Sequence, residues 1–189
     1  MIVAAVAATG VVLVATSPSI RLFEAPASGE PSPVATFVTP SDWREFGDGA
    51  DGFSMSAPPD WREADDGSPA LLRLAPAEGT DAACLVLRHP PSAGMALEDV
   101  VAELLSQIHD PAIYDLRGEV EVRALALPAG PAEGFRFAAV REGQQRGYVQ
   151  FVLVNEQAGW LVGCDAPGEA VEHLLPLFER MISTFRFAG

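Results

Sequence analysis

The side chains able to do chemistry in this 189-residue chain are three histidines, two cysteines and a few acid- or serine-bearing stretches. His89, His109 and His173 are far apart, and none stands at metal-ligand spacing with another. His109 follows a helical stretch, where an imidazole can cap free carbonyls. His173 lies beside the apolar face of a later helical stretch. "DGADG" (48–52) has the composition of a calcium loop, but it lacks the alternate acids and the closing glutamate of an EF-hand. It reads as a turn, with weak cation binding left open among the acids of 42–66. "GFSMS" (52–56) superficially resembles a nucleophile elbow. It has no second glycine and runs into proline instead of opening a helix. Its serines read as the solvent-facing side of an amphipathic strand. "GPAEG" (130–134) reads as a turn, not a phosphate cradle. These patterns predict no catalytic, metal or cofactor-binding residue, and no cofactor. A carboxylate-based hydrolase would need two acids and a histidine to converge in one pocket.

Cys84 and Cys164 both fall in predicted strands. They could pair in an oxidising compartment if those strands adjoin. The apolar surroundings favour two buried thiols, with pairing as the alternative. Trp43, Trp61 and Trp160 have the residue type found at interfaces, yet each sits in or beside a strand, where core packing is the default.

The formal net charge is -14, and all twelve basic residues are arginine. No basic stripe is present. Neutralising phosphate is what nucleic-acid binding rests on, so that class is excluded. Docking on an anionic lipid surface is disfavoured for the same reason. With 49% hydrophobic residues the chain has material for a full core.

Three regions are expected. Residues 1–16 form an apolar membrane anchor or an incomplete signal segment. They are shorter than the roughly 20 residues a spanning helix requires and lack the preceding positive charge of a secretory signal. Residues 17–42 read as a linker, because prolines at 18, 26, 31, 33 and 40 oppose regular structure. A globular domain spans 43–189.

Within that domain "WREF" and "FSMSA" read as short strands, the second ended by Pro58 and Pro59. "ALLRLA" (70–75) and "ACLVLRH" (83–89) form a hairpin. Residues 97–108 carry an apolar stripe at i, i+3, i+4 and i+7, the mark of an amphipathic helix. "GEVEVRALAL" shifts its apolar phase midway, which suggests a bulge. "GFRFAAV", "GYVQFVLV" and "GWLVGC" are joined by short polar turns, so they read as an antiparallel meander. A closing helix over 169–185 is expected, with Asp165 as N-cap, Pro167 in the first turn and a kink at Pro176. The fold class is therefore α+β: an antiparallel meander with helices packed on it.

"GFSMSAPPDW" and "LPLFERMISTFRF" resemble the opening strand and closing helix of PsbP/Mog1-like domains. The resemblance covers 43–189 and is nearest to extracytoplasmic versions found behind a transmembrane helix in GC-rich bacteria. Its signature residues here are Trp43, Gly52, Phe53, Pro58, Trp61, Phe178 and Phe185. They are apolar or turn-forming, so they speak to architecture. The resemblance implies an α/β/α sandwich and a non-enzymatic binding or accessory domain in the cell envelope. Its partner would be a protein, a peptide or an envelope component, and a sensor role is open. Contact with the membrane would be through the N-terminal segment only. A chaperone-like domain sheltering apolar helices of a client is the alternative.

Overall fold

The computed structural model describes residues 38–47, 52–89, 96–156 and 158–188. The apolar segment 1–16, most of the linker and positions 48–51 of the acidic turn lie outside these residues. Among the described residues no helix is long and apolar enough to cross a membrane.

Among the described residues, eleven strands and two helices follow the order β1 (Arg44–Phe46), β2 (Phe53–Ala57), β3 (Trp61–Glu63), β4 (Leu72–Pro76), β5 (Ala83–His89), α1 (Leu97–Ile108), β6 (Asp115–Leu116), β7 (Glu121–Leu127), β8 (Gly130–Arg141), β9 (Gln144–Val154), β10 (Gly159–Pro167), α2 (Gly168–Ser183) and β11 (Arg186–Phe187). The large sheet runs β3-β4-β5-β10-β9-β8-β6, with β7 also paired to β8. A small sheet, β1-β2-β11, gathers the two ends of the domain. Every ladder is antiparallel. The fold is thus the α+β arrangement the sequence predicts.

The period of two along β9 and β10 sorts side chains to opposite faces. Val149, Phe151, Leu153, Trp160, Val162 and Cys164 point to one core. There they meet Phe178, Met181 and Ile182 of α2, and Phe53, Met55 and Phe185 from and beside the small sheet. The opposite face carries Phe135, Phe137, Ala139, Tyr148 and Val152, covered by Val100 and Ile108 of α1. Three layers result, with the large sheet in the middle.

Special backbone residues are needed at two points. A Cβ on Gly147 would lie 2.6 Å from Val171 Cγ1, so glycine is what lets α2 settle on β9. The β8–β9 turn uses Glu142 (φ 54) and Gly143 (φ 80), two left-handed residues in sequence as a two-residue hairpin turn requires.

Several expectations are corrected. Cys84 and Cys164 are directly opposite on β5 and β10 and form a disulfide, not two thiols. The physical reason is the strand order: β10 inserts beside β5, which places the two side chains on one face. Asp165 belongs to β10, and Pro167 takes the N-cap position of α2. No bulge interrupts β7, which pairs residue for residue from Glu121↔Arg136 to Leu127↔Gly130. Its phase shift reflects an edge strand exposed from 121 to 126, where neither face is constrained by burial. Ser56 is 8% exposed rather than solvent-facing, because Thr184 covers it. Its backbone N–H donates to Thr184 Oγ1 at 2.8 Å. Pro176 is exposed within α2, which continues from Gly168 to Ser183. The very short β6 was not legible as a strand.

The disulfide spans a sequence separation of 80. Closing so long a loop restricts the unfolded chain strongly, by roughly 4 kcal/mol on the chain-entropy account. C84A/C164A is expected to lose about 2–5 kcal/mol in urea unfolding, with the fold retained by circular dichroism.

Candidate functional site

Helix α1 is twelve residues long and covers only part of its face of the large sheet, over β8, β9 and the Gly159–Leu161 start of β10. The remainder, over β9, β10, β5 and β4, is an open groove of about 620 Å³. Its floor follows from strand alternation: Tyr148 and Gln150 of β9, Gly163 and Asp165 of β10, and Leu85 and Leu87 of β5. A Cβ on Gly163 would come within 3.0 Å of Gln150 Cγ, so the missing side chain leaves room for the glutamine on the floor. One wall is the 66–70 loop with Arg73. The other is Tyr114 beyond α1 and the β8–β9 turn with Arg141.

The charged groups of the groove are matched. Arg146 Nε donates to Asp165 Oδ2 at 2.5 Å, and its terminal nitrogens donate to Asp81 Oδ2 and to the Asp81 carbonyl, both at 2.7 Å. The Arg146 and Asp165 side chains are only 11% and 16% exposed. Burial pushes the Asp165 carboxyl above the usual range, opposed by the Arg146 charge. Arg73 Nε lies 3.1 Å from Asp66 Oδ2. Arg141 is 4.0 Å from Glu142.

The aromatic wall is equally ordered. Tyr148 stacks on Phe137 with centroids 4.8 Å apart, and Tyr114 meets both rings edge-on at 5.3 and 5.4 Å. Burial pushes the Tyr148 hydroxyl up to about 12, with the Asp165 charge acting in the same direction. Tyr114 is raised too, mainly by burial. Both phenols are therefore neutral hydrogen-bonding groups at ordinary pH. Among the described residues, the Tyr148 hydroxyl and Gln150 Oε1 are buried and make no hydrogen bond. Buried polar atoms are normally satisfied, and these two, with Trp160 Nε1 in the core on the other face, are the exceptions among the described residues.

The side chains singled out from the sequence lie elsewhere. Phe53, Trp61, Phe178 and Phe185 are at most 3% exposed. Trp43 packs half-buried against the same core, while Gly52 and Pro58 flank β2. Trp160 is buried, with Arg88 over its ring at 5.7 Å. His109 Nδ1 donates to the Leu105 carbonyl at 2.7 Å, a helix cap. His89 lies 3.1 Å from Glu103 of α1, and His173 is exposed on α2. Among the described residues no three acids, histidines or cysteines are grouped to hold a metal. Tyr114, Arg146, Tyr148, Gln150 and Asp165 were not read as a site. The available signal was a glutamine inside the apolar run "GYVQFVLV" and an aspartate closing "GWLVGCD".

Removing one member of the buried pair should be costly, because the other charge is left uncompensated. R146A is expected to lose roughly 3 kcal/mol in urea unfolding, and R146M/D165L to recover most of it. Alkaline titration gives a second test. An unfolded tyrosine ionises near its ordinary value of 10, whereas Tyr148 holds its proton to about 12. Between these values the unfolded state has released a proton that the native state keeps, so stability falls as pH rises through that window. Phenolate absorbance should appear late and together with unfolding, and early ionisation of both tyrosines in the folded protein would contradict the buried placement.

No family model matches the sequence, and no curated protein is similar to it. The chain is similar to the solution structure of cyanobacterial PsbP from Synechocystis, with a TM-score of 0.61 at 15% identity over 80% of this chain and 95% of that one. A crystal structure from Bacteroides thetaiotaomicron matches with a TM-score of 0.57 at 13% identity, over 78% of this chain and 49% of that one. LpqN of Mycobacterium tuberculosis, described as involved in cell envelope biogenesis, is a looser match, with a TM-score of 0.42 at 14% identity over 81% of this chain and 82% of that one. The fold is PsbP-like, as the resemblance of "GFSMSAPPDW" and "LPLFERMISTFRF" implies. At these identities the likeness speaks to fold, and function must be argued from the groove.

Proposed function

We propose that this chain is a non-catalytic extracytoplasmic binding domain, secreted or held at the membrane by segment 1–16 through the linker 17–42, that captures an envelope component in the groove. The observation that carries the reading is the open half of the sheet, with the buried Tyr148 hydroxyl and Gln150 Oε1 on its floor. The Cys84–Cys164 disulfide supports the location, since such bridges persist in oxidising compartments.

Two other readings receive less support. A hydrolase would place a base beside a nucleophile. No histidine lines the groove, and Asp165 is held by Arg146. A helix-sheltering chaperone would present a concave apolar face. The groove instead presents arginines, carboxylates, tyrosines and a glutamine.

The test has two parts. Thiol trapping in intact cells of the source organism should find both cysteines blocked until a reductant is added. Crosslinking of the full chain to the envelope fraction should give an adduct that is lost in A70W, which fills the groove from its rim. Free thiols in the cell would remove the extracytoplasmic placement. An adduct unaffected by A70W would remove the groove as the binding site.

A further inference from the structure

We infer that the groove is a subsite for a neutral sugar unit; this rests on the binding reading above and names the ligand class. The charges, the size, the floor and the unpaired atoms each restrict the ligand.

The lining contains Arg73, Arg141 and Arg146 against Asp66, Asp81, Asp165 and Glu142. Arg146 is engaged by Asp165 and Asp81, Arg73 by Asp66, and Arg141 faces Glu142. A phosphate or sulfate group therefore finds the two deeper arginines already engaged and only the exposed Arg141 at the rim loosely held, and the net charge of -14 repels it. A cationic ligand finds the deep carboxylate already paired. The ligand that costs least to desolvate here is uncharged.

It is also polar. Leu85 and Leu87 give a small apolar patch on the floor, but the surrounding groups are hydroxyl, amide, carboxylate and guanidinium. An apolar chain or helix would bury these without replacing their water. The floor is a sheet face, not an edge. The backbone groups of β5, β10 and β9 are committed to their ladders. A peptide laid across them would have only side chains to satisfy its fixed amides, whereas strand addition needs a free edge.

A sugar ring fits these restrictions. Each hydroxyl both donates and accepts and can rotate, so a sugar can serve either the Tyr148 hydroxyl or the acceptor Gln150 Oε1. Both residues line the groove but are 4% and 7% exposed, so binding requires a small side-chain shift that uncovers these atoms. The C–H face of a pyranose suits the Leu85–Leu87 patch and the Tyr114 ring. A volume of about 620 Å³ is within the usual range for small-molecule sites and suits one or two sugar units.

The test uses the full oxidised chain and isothermal titration calorimetry. The free probes are glucose, mannose, N-acetylglucosamine and maltose, the polymer arm is insoluble cell-wall polysaccharide in a pull-down, and inorganic phosphate is the charged control. The expected result is saturable binding of at least one free sugar, or retention on the polysaccharide, with no saturable phosphate binding. Binding to free sugar identifies a soluble ligand, and retention on the polysaccharide alone identifies a polymer terminus. Y148F keeps the ring stacked on Phe137 and removes only the hydroxyl, so it should fold normally and weaken binding about five- to tenfold. V122A, on the exposed edge strand β7, should bind as the parent does. No binding in either sugar arm, binding unchanged by Y148F, or preferential binding of phosphate overturns the inference. An A70W-sensitive envelope adduct alongside failed sugar binding would leave the binding domain standing and remove only the sugar.

Discussion

β10 lies between β5 and β9, two strands from opposite ends of the chain's middle, and the rest of the architecture depends on that insertion. Once β10 is seated, its even-numbered side chains reach the core under α2, and its odd-numbered ones reach the face that α1 covers in part. The same placement sets Cys84 opposite Cys164 and makes the covalent link available. It also fixes the start of α2, which leaves directly from the end of β10 and packs back over β9 and β10 through Val171, Phe178 and Met181. Hydrophobic burial supplies the driving force. The ladder register decides which residues receive it.

The groove is a consequence of unequal cover. One face of the large sheet is shielded by α2 and by the small sheet, where Phe53, Phe187 and the adjoining Phe185 crowd around Trp160. The other face has a single helix. Beyond that helix β9 and β10 switch from Val152 and Leu161 to the polar Gln150 and Asp165. Arg146 ties this part of the sheet together, bonded at once to Asp165 on the floor and Asp81 on the rim.

What was legible in the sequence follows the same division. The helix of 97–108 and the strands of 53–57 and 83–89 could be read to the residue, because burial imposes a strict period on each. β7 misled because it is an edge, and an exposed strand carries no such constraint. The disulfide could not be read because pairing depends on strand order, which alternation does not encode. The groove was illegible for a related reason. Tyr114, Gln150 and Asp165 come from separate elements, and each alone looks like an ordinary surface or capping residue. Only the juxtaposition of β9 and β10 makes them a set.

The small sheet has a mechanical consequence. β1 and β11 both pair with β2, so the two ends of the domain emerge from one three-stranded patch. A pull on the N-terminal side enters through the three-residue β1 and the Glu45–Arg186 ion pair. That patch is the weak link in the load path, and it can peel while the large sheet stays whole. Further extension beyond Cys84 meets a closed covalent ring, and the stretch from Cys84 to Cys164, which includes most of the groove's floor, cannot be drawn out in line. Under tension the domain behaves as a short extensible leader in series with a rigid body, and the groove rides on the rigid part.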